Sequence, residues 1–139
     1  MRKKVVFVCV GNACRSQMAE AFARAYGADV IEPSSAGLAP AAMIPGVTLR
    51  VMEAKGLKLD GQFPTALDET PLKGVDVVVN LSGVKLRGLP VADVREWKVE
   101  DPIGKKDEVH ERVRDQVEGL VMALILELRQ SSSAAARRI

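Results

Sequence analysis

Apolar and polar positions along the chain switch between a continuous run and a three- to four-residue period, and the switches mark the elements. Val5 to Val10 form an unbroken apolar run, as a strand covered on both faces requires. The stretch "SQMAEAFARAYG" at 16–27 predicts a helix with Ser16 at its start and Gly27 at its end, with Met18, Ala19, Phe22 and Tyr26 on one face. "ADVIEPSSAG" at 28–37 predicts a short strand ending in Pro33. "PGVTLRVMEAKG" at 45–56 predicts a second helix that begins with Pro and ends with Gly. The β-branched run "VDVVVNL" at 75–81, bounded by Gly74 and Gly83, reads as another buried strand, and "VADVREW" at 91–97 as a shorter one. A long helix is predicted from about Asp107 to Arg129, because Val109, Val113, Val117, Leu120, Leu124 and Leu128 recur at helical steps. The terminal "QSSSAAARRI" has no such period and reads as a frayed tail.

Strands alternating with helices predict an α/β fold: one doubly wound parallel sheet of about four strands flanked by helices, in a single domain over 1–130 with a mobile tail over 131–139. In such sheets ligands gather at the carboxyl ends of the strands, where Cys9 falls. Composition adds exclusions. Twenty basic against 18 acidic residues give a net charge of +2, too little concentrated charge for nucleic-acid binding. The longest apolar stretch, "GLVMALILEL" at 119–128, is about half a membrane span. The apolar run behind Met1-Arg2-Lys3-Lys4 is short and has no small-residue cleavage site, so a cytoplasmic protein without membrane association is expected. Two cysteines and one distant histidine make neither a disulfide scaffold nor a metal site, so no metal is expected and thiol chemistry remains.

That chemistry centres on residues 9–16, "CVGNACRS". An oxyanion needs converging backbone N–H groups, a helix N-terminus behind them and a guanidinium for bidentate contact. Val10, Gly11, Asn12, Ala13, Cys14, Arg15 and Ser16 supply all three, with Gly11 and Asn12 the residue types that most readily reach positive φ. Amides, helix dipole and Arg15 together are expected to hold Cys9 as a thiolate at neutral pH, a poised nucleophile. Ser16 either hydrogen-bonds that thiolate or caps the helix. Cys14 is either a redox partner for Cys9 or a packed loop residue.

These residues resemble a family. "CVGNACRS" is similar to the phosphate-binding loop of the low-molecular-weight protein tyrosine phosphatases, and the longer "CVGNACRSQMAE", with Gln17 in place of proline, is more similar still to the arsenate reductases that share their fold. The resemblance continues through "SSAG" (34–37), "VDVVVNLSG" (75–83) and "REWKVEDPIGK" (95–105). It implies Asp101, in Asp101-Pro102, as a general acid that protonates the leaving group and then activates water. It also implies loop support from Asn12 paired with Ser35. Glu20 is read as a helix-surface or loop-supporting carboxylate, His110 as a solvated helix residue and Trp97 as an aromatic closing a strand.

Hydrolysis of phosphate monoesters through a phosphocysteine is the first reading, with phosphoproteins among the substrates considered and no cofactor required. Ile103-Gly104 stands where members acting on phosphotyrosine carry aromatic residues, which points toward small or aryl monoesters. The alternative is an arsenate reductase forming a Cys9–arsenate adduct. The resemblance to thioredoxin-coupled reductases implies two further cysteines in the segment "NLSGVKLRGLP" (80–90); Ser82 and Leu89 stand there, so a reductase would borrow an external thiol such as glutathione or mycothiol. A non-catalytic oxyanion-binding module, needing neither Cys9 nor Asp101, comes third.

Overall fold

The computed structural model describes residues 2–137, with elements in the order β1 (Lys3–Cys9), α1 (Arg15–Tyr26), β2 (Ile31–Gly37), α2 (Gly46–Glu53), β3 (Val77–Asn80), β4 (Asp93–Glu96) and α3 (Asp107–Arg137). All strand pairs are parallel and the sheet order is β2-β1-β3-β4. The chain leaves β1 for β2 on one side and later returns to β3 on the other, so the carboxyl end of β1 lies at the point where the strand order reverses. Cys9 is the last residue of β1.

Alternate β1 residues separate two cores, as a period of two dictates. Val5, Phe7 and Cys9 pack with Met18 and Phe22 of α1, Val51 and Met52 of α2, and Val113, Val117, Val121, Leu124 and Ile125 of α3. Val6 and Val8 face Ala36, Val78 and Val91. This second face is covered by Leu67, Leu72, Val75, Leu86 and Leu89, from irregular segments and a short 3-10 turn at Leu67–Glu69. Pro71, Gly74, Gly83, Gly88 and Pro90 punctuate those segments and deny them a helix.

Two boundaries differ from the pattern. The strand expected to stop at Pro33 runs on to Gly37, because β2 is an edge strand and an edge tolerates the missing N–H of proline. The last helix, expected to end near Arg129 before a tail over 131–139, continues to Arg137, since nothing in "QSSSAAAR" breaks a helix and alanine favours one. Residues 138–139 of that expected tail lie outside the described residues. Gly27 closes α1 where that helix meets α3: a Cβ there would stand 2.6 Å from Ile125 Cγ1. Among the described residues no helix is long and apolar enough to cross a membrane.

Candidate active site

The loop after β1 is shaped from outside. Leu38 N–H donates to the Cys9 carbonyl (3.2 Å), Ala39 N–H to that of Val10 (2.8 Å) and Ala41 N–H to that of Gly11 (2.9 Å). In a trans peptide the N–H points opposite to the C=O, so fixing these carbonyls outward turns the next amides toward the interior of the loop. Gly37 permits the close approach, since a Cβ there would stand 2.9 Å from Asn12 N and Val10 O. Of the two residues expected at positive φ, only Asn12 adopts it, at 48°. Gly11 does not; its carbonyl is held by Ala41, and the loop turns at the next residue.

Cys9, Val10, Gly11, Ala13, Cys14, Arg15, Ala41, Asp101 and Ile103 line a cavity of about 240 Å³. Arg15 is buried, and its Nη1 donates to the carbonyls of Leu81 (2.6 Å) and Val99 (3.2 Å), while Nη2 lies 3.5 Å from Asp101 Oδ2. The guanidinium is therefore held by the ends of β3 and of the segment after β4 and cannot swing away. Asp101 is half exposed, and its Oδ1 accepts the Ile103 N–H at 3.1 Å. It thus forms the turn expected of Asp-Pro and also stands at the cavity beside Arg15.

Ser16 Oγ lies 2.9 Å from Cys9 Sγ, and no side chain caps α1, whose N-cap position is Cys14. Of the two roles open to Ser16 in sequence, the thiol contact is the one formed. Asn12 Nδ2 donates to Ser16 Oγ (2.7 Å), and Asn12 Oδ1 accepts the Thr65 N–H (2.8 Å). The expected Asn12–Ser35 pair is not the one made: Ser35 Oγ donates to Glu20 Oε1 at 2.5 Å, because Glu20 is buried on α1 facing β2 and needs a donor for its charge. Glu20 also takes Arg24 Nη2 at 2.6 Å, so it is a buried carboxylate with two donors and not a surface residue. Cys14 is buried, Thr48 Oγ1 donates to its sulfur at 3.1 Å, and burial pushes its thiol up to about 11 despite that bond.

His110, read as solvated, is buried at 2% exposure with Nδ1 unpartnered; it sits on the inner side of α3, one turn before Val113. Its charged sequence neighbours hid it. Trp97 is half-buried and stacks at a tilt on Phe7, ring centres 5.9 Å apart, which agrees with an aromatic closing a strand. Sequence reasoning did not find Thr48, a buried polar residue of α2, nor Gln62 and Thr65, which lie in an irregular segment without periodic pattern, nor the carbonyls of Leu81 and Val99.

An open parallel sheet thus sets a cysteine and a braced arginine around a hollow at its switch point, as in a class of α/β enzymes whose sites lie at strand ends. The chain belongs to the low molecular weight phosphotyrosine protein phosphatase family, whose model matches residues 4–134. It is 38% identical over 130 residues to the glutaredoxin arsenate reductase of Synechocystis sp., covering 91% of this chain and 98% of that protein. An arsenate reductase of Staphylococcus aureus is 32% identical over 120 residues, 84% of this chain and 91% of the relative. Among solved structures, an arsenate reductase in the phosphate binding state superposes with a TM-score of 0.83 at 36% identity, covering 91% of this chain and 98% of that one.

Proposed function

We propose that this protein is an arsenate reductase in which Cys9 is the nucleophile and the second thiol comes from outside the chain. What carries the proposal is the similarity along nearly the whole chain to proteins named arsenate reductases, joined to a cavity where Cys9 and the Arg15 guanidinium meet. It reverses the order suggested by sequence alone, where phosphate monoester hydrolysis came first.

In the proposed reaction Arg15 and the loop amides hold arsenate, and Cys9 Sγ attacks arsenic. An arsenic oxygen leaves as water with a proton from Asp101, giving a Cys9–arsenic(V) bond. An external thiolate then attacks Cys9 Sγ; the S–As bond breaks with its electron pair on arsenic, arsenite departs, and a mixed disulfide remains at Cys9. A second external thiol attacks that disulfide and restores Cys9, so two thiols are oxidised while arsenic(V) becomes arsenic(III). Cys14 is unsuited to either step, because its thiol stays protonated at neutral pH. A thiol of the glutathione or mycothiol kind meets the requirement, and likeness to the Synechocystis protein adds a glutaredoxin thiol.

Hydrolysis of small phosphate esters is the second reading, favoured by Asp101 at the cavity beside Arg15, where a general acid for an ester oxygen would stand. The test is arsenite formation by the purified protein with arsenate and each thiol donor. Turnover that Cys9→Ser abolishes supports the proposal; hydrolysis of an aryl phosphate with no arsenite from any donor rejects it.

A further inference from the structure

Gln17 is fully buried on the first turn of α1, yet an apolar side chain would suit that position if packing were its only task. A buried amide left unbonded costs about 1–3 kcal/mol, so its partners are informative. Gln17 Nε2 donates to the Asn12 carbonyl at 2.9 Å, and its Oε1 accepts Gln62 Nε2 at 2.7 Å. Gln62 Nε2 also donates to the Gln17 carbonyl at 3.2 Å, and Gln62 Oε1 accepts Arg24 Nη1 at 2.9 Å. Backbone partners dictate which end of each amide is which: the Asn12 carbonyl must face a donor, and the Thr65 N–H must face Asn12 Oδ1. Asn12 Nδ2 therefore donates to Ser16 Oγ. With that lone pair occupied, the Ser16 proton is free to point at Cys9 Sγ, 2.9 Å away.

The donors run inward: Arg24 to Gln62, Gln62 to Gln17 and Gln17 to the backbone carbonyl of Asn12, whose side-chain amide in turn donates to Ser16, leaving the Ser16 hydroxyl proton available to Cys9. The series changes from side chain to backbone at Asn12, so its outer members act by holding Asn12 in place, and only the Asn12–Ser16 end presents a polarised donor to the sulfur. Gln17 also fixes Asn12, through its carbonyl, in the left-handed conformation that asparagine can reach. We infer that Gln17, locked by Gln62 and Arg24, is a positioning residue for Cys9: it holds Asn12, and through Asn12 the Ser16 donor, against the nucleophilic sulfur. The oxyanion has a further anchor of its own in Arg15, held on Leu81 and Val99, so loss of the relay is expected to lower the reactivity of the thiol more than the affinity for the anion.

The inference rests on Cys9 as the nucleophile but not on arsenate as the substrate, and the test reads the sulfur directly. Alkylation of Cys9 by iodoacetamide is followed at neutral pH with the modified site mapped by mass, and inorganic phosphate is titrated as a protecting anion. Gln17→Met, which keeps volume and helix propensity, is expected to slow Cys9 alkylation about tenfold, the equivalent of one strong hydrogen bond. The protecting phosphate concentration should stay within about twofold of the parent, since Arg15 and its anchors are untouched. Gln62→Ala and Arg24→Met, at half-buried and exposed positions where folding is not at stake, should slow alkylation about two- to threefold. Gln62→Ala added to Gln17→Met should slow it no further, because the members act in series. Unchanged alkylation in Gln17→Met and Gln62→Ala, equal loss of alkylation and phosphate protection, or additive effects would each overturn the inference. Loss of arsenate turnover in all variants and the parent alike, with this alkylation pattern intact, would instead count against arsenate as the substrate.

Discussion

At the scale of single residues, the two cysteines are both buried and both line the cavity, and they differ in partner. Cys9 faces the Ser16 hydroxyl, while Cys14 accepts Thr48 Oγ1 and burial pushes its thiol up to about 11. A raised value in the folded state means that folding favours the protonated thiol. The stabilisation is fully present below the unfolded value of about 9 and is lost as pH climbs toward about 11. Chemical denaturation across that window should show a decline in stability that Cys14→Ala reduces, and alkylation at neutral pH should modify Cys9 and leave Cys14 intact. Arg15 offers a second prediction. Its Nη1 is committed to two carbonyls, and lysine cannot hold those and still present a planar fork to an oxyanion. Arg15→Lys is expected to lower kcat/KM about 100-fold or more, measured on whichever oxyanion the protein turns over. Cys9, Arg15 and Ser16 were legible in sequence because one contiguous loop carries them. Asn12, expected to pair with Ser35, pairs with Ser16 and Thr65 instead, since Ser35 is taken by the buried charge of Glu20.

At the scale of elements, the loop owes its shape to neighbours that contribute no chemistry. Residues 37–41 turn its carbonyls outward, and Gly37 brings β2 against it at a distance that leaves no room for a side chain. Gly37→Ala would force a methyl group against backbone atoms of Val10 and Asn12. We expect a loss of about 1–3 kcal/mol in denaturant unfolding together with slower Cys9 alkylation. Phe22 tests the other side of the sheet: it is fully buried where α1 packs on β1 and α3, so Phe22→Ala should cost about 3–5 kcal/mol without altering the loop. Helix and strand identities follow from the apolar period, which reports burial faithfully for α1, β1, β3 and α3. The extent of β2 and the length of α3 were not legible, because edge position decides the first and the second rests on alanine propensity where the apolar pattern has ended. Gln62 and Thr65 were invisible for a related reason: they act from a connection whose place is set by tertiary packing alone.

At the scale of the whole molecule, the order of the strands places the reactive loop. The reversal of winding at β1 exposes its carboxyl end between two crossovers, and α1 begins directly behind it. Alternation of strands and helices in the sequence was sufficient for the fold class, while the irregular covering of the second face was not foreseen, because several short apolar segments broken by Gly and Pro give no period. The reading of function from sequence went as far as a thiol proposed to attack an oxyanion and no further. Phosphate and arsenate present the same charge and shape to the loop, and the proposed choice between them rests on relatives, while the missing cysteines of the 80–90 segment decide only that the second thiol is external. The central claim is that Cys9 receives arsenate and an outside thiol completes the reduction. Single-turnover analysis of the fully reduced protein tests it most directly: arsenate is added first alone and then with an external thiol, while arsenite and the protein's mass are followed. The account predicts no arsenite until the thiol is added, then its release together with a mixed disulfide mapped to Cys9. Arsenite released from the protein alone, with a Cys9–Cys14 disulfide left behind, would contradict it.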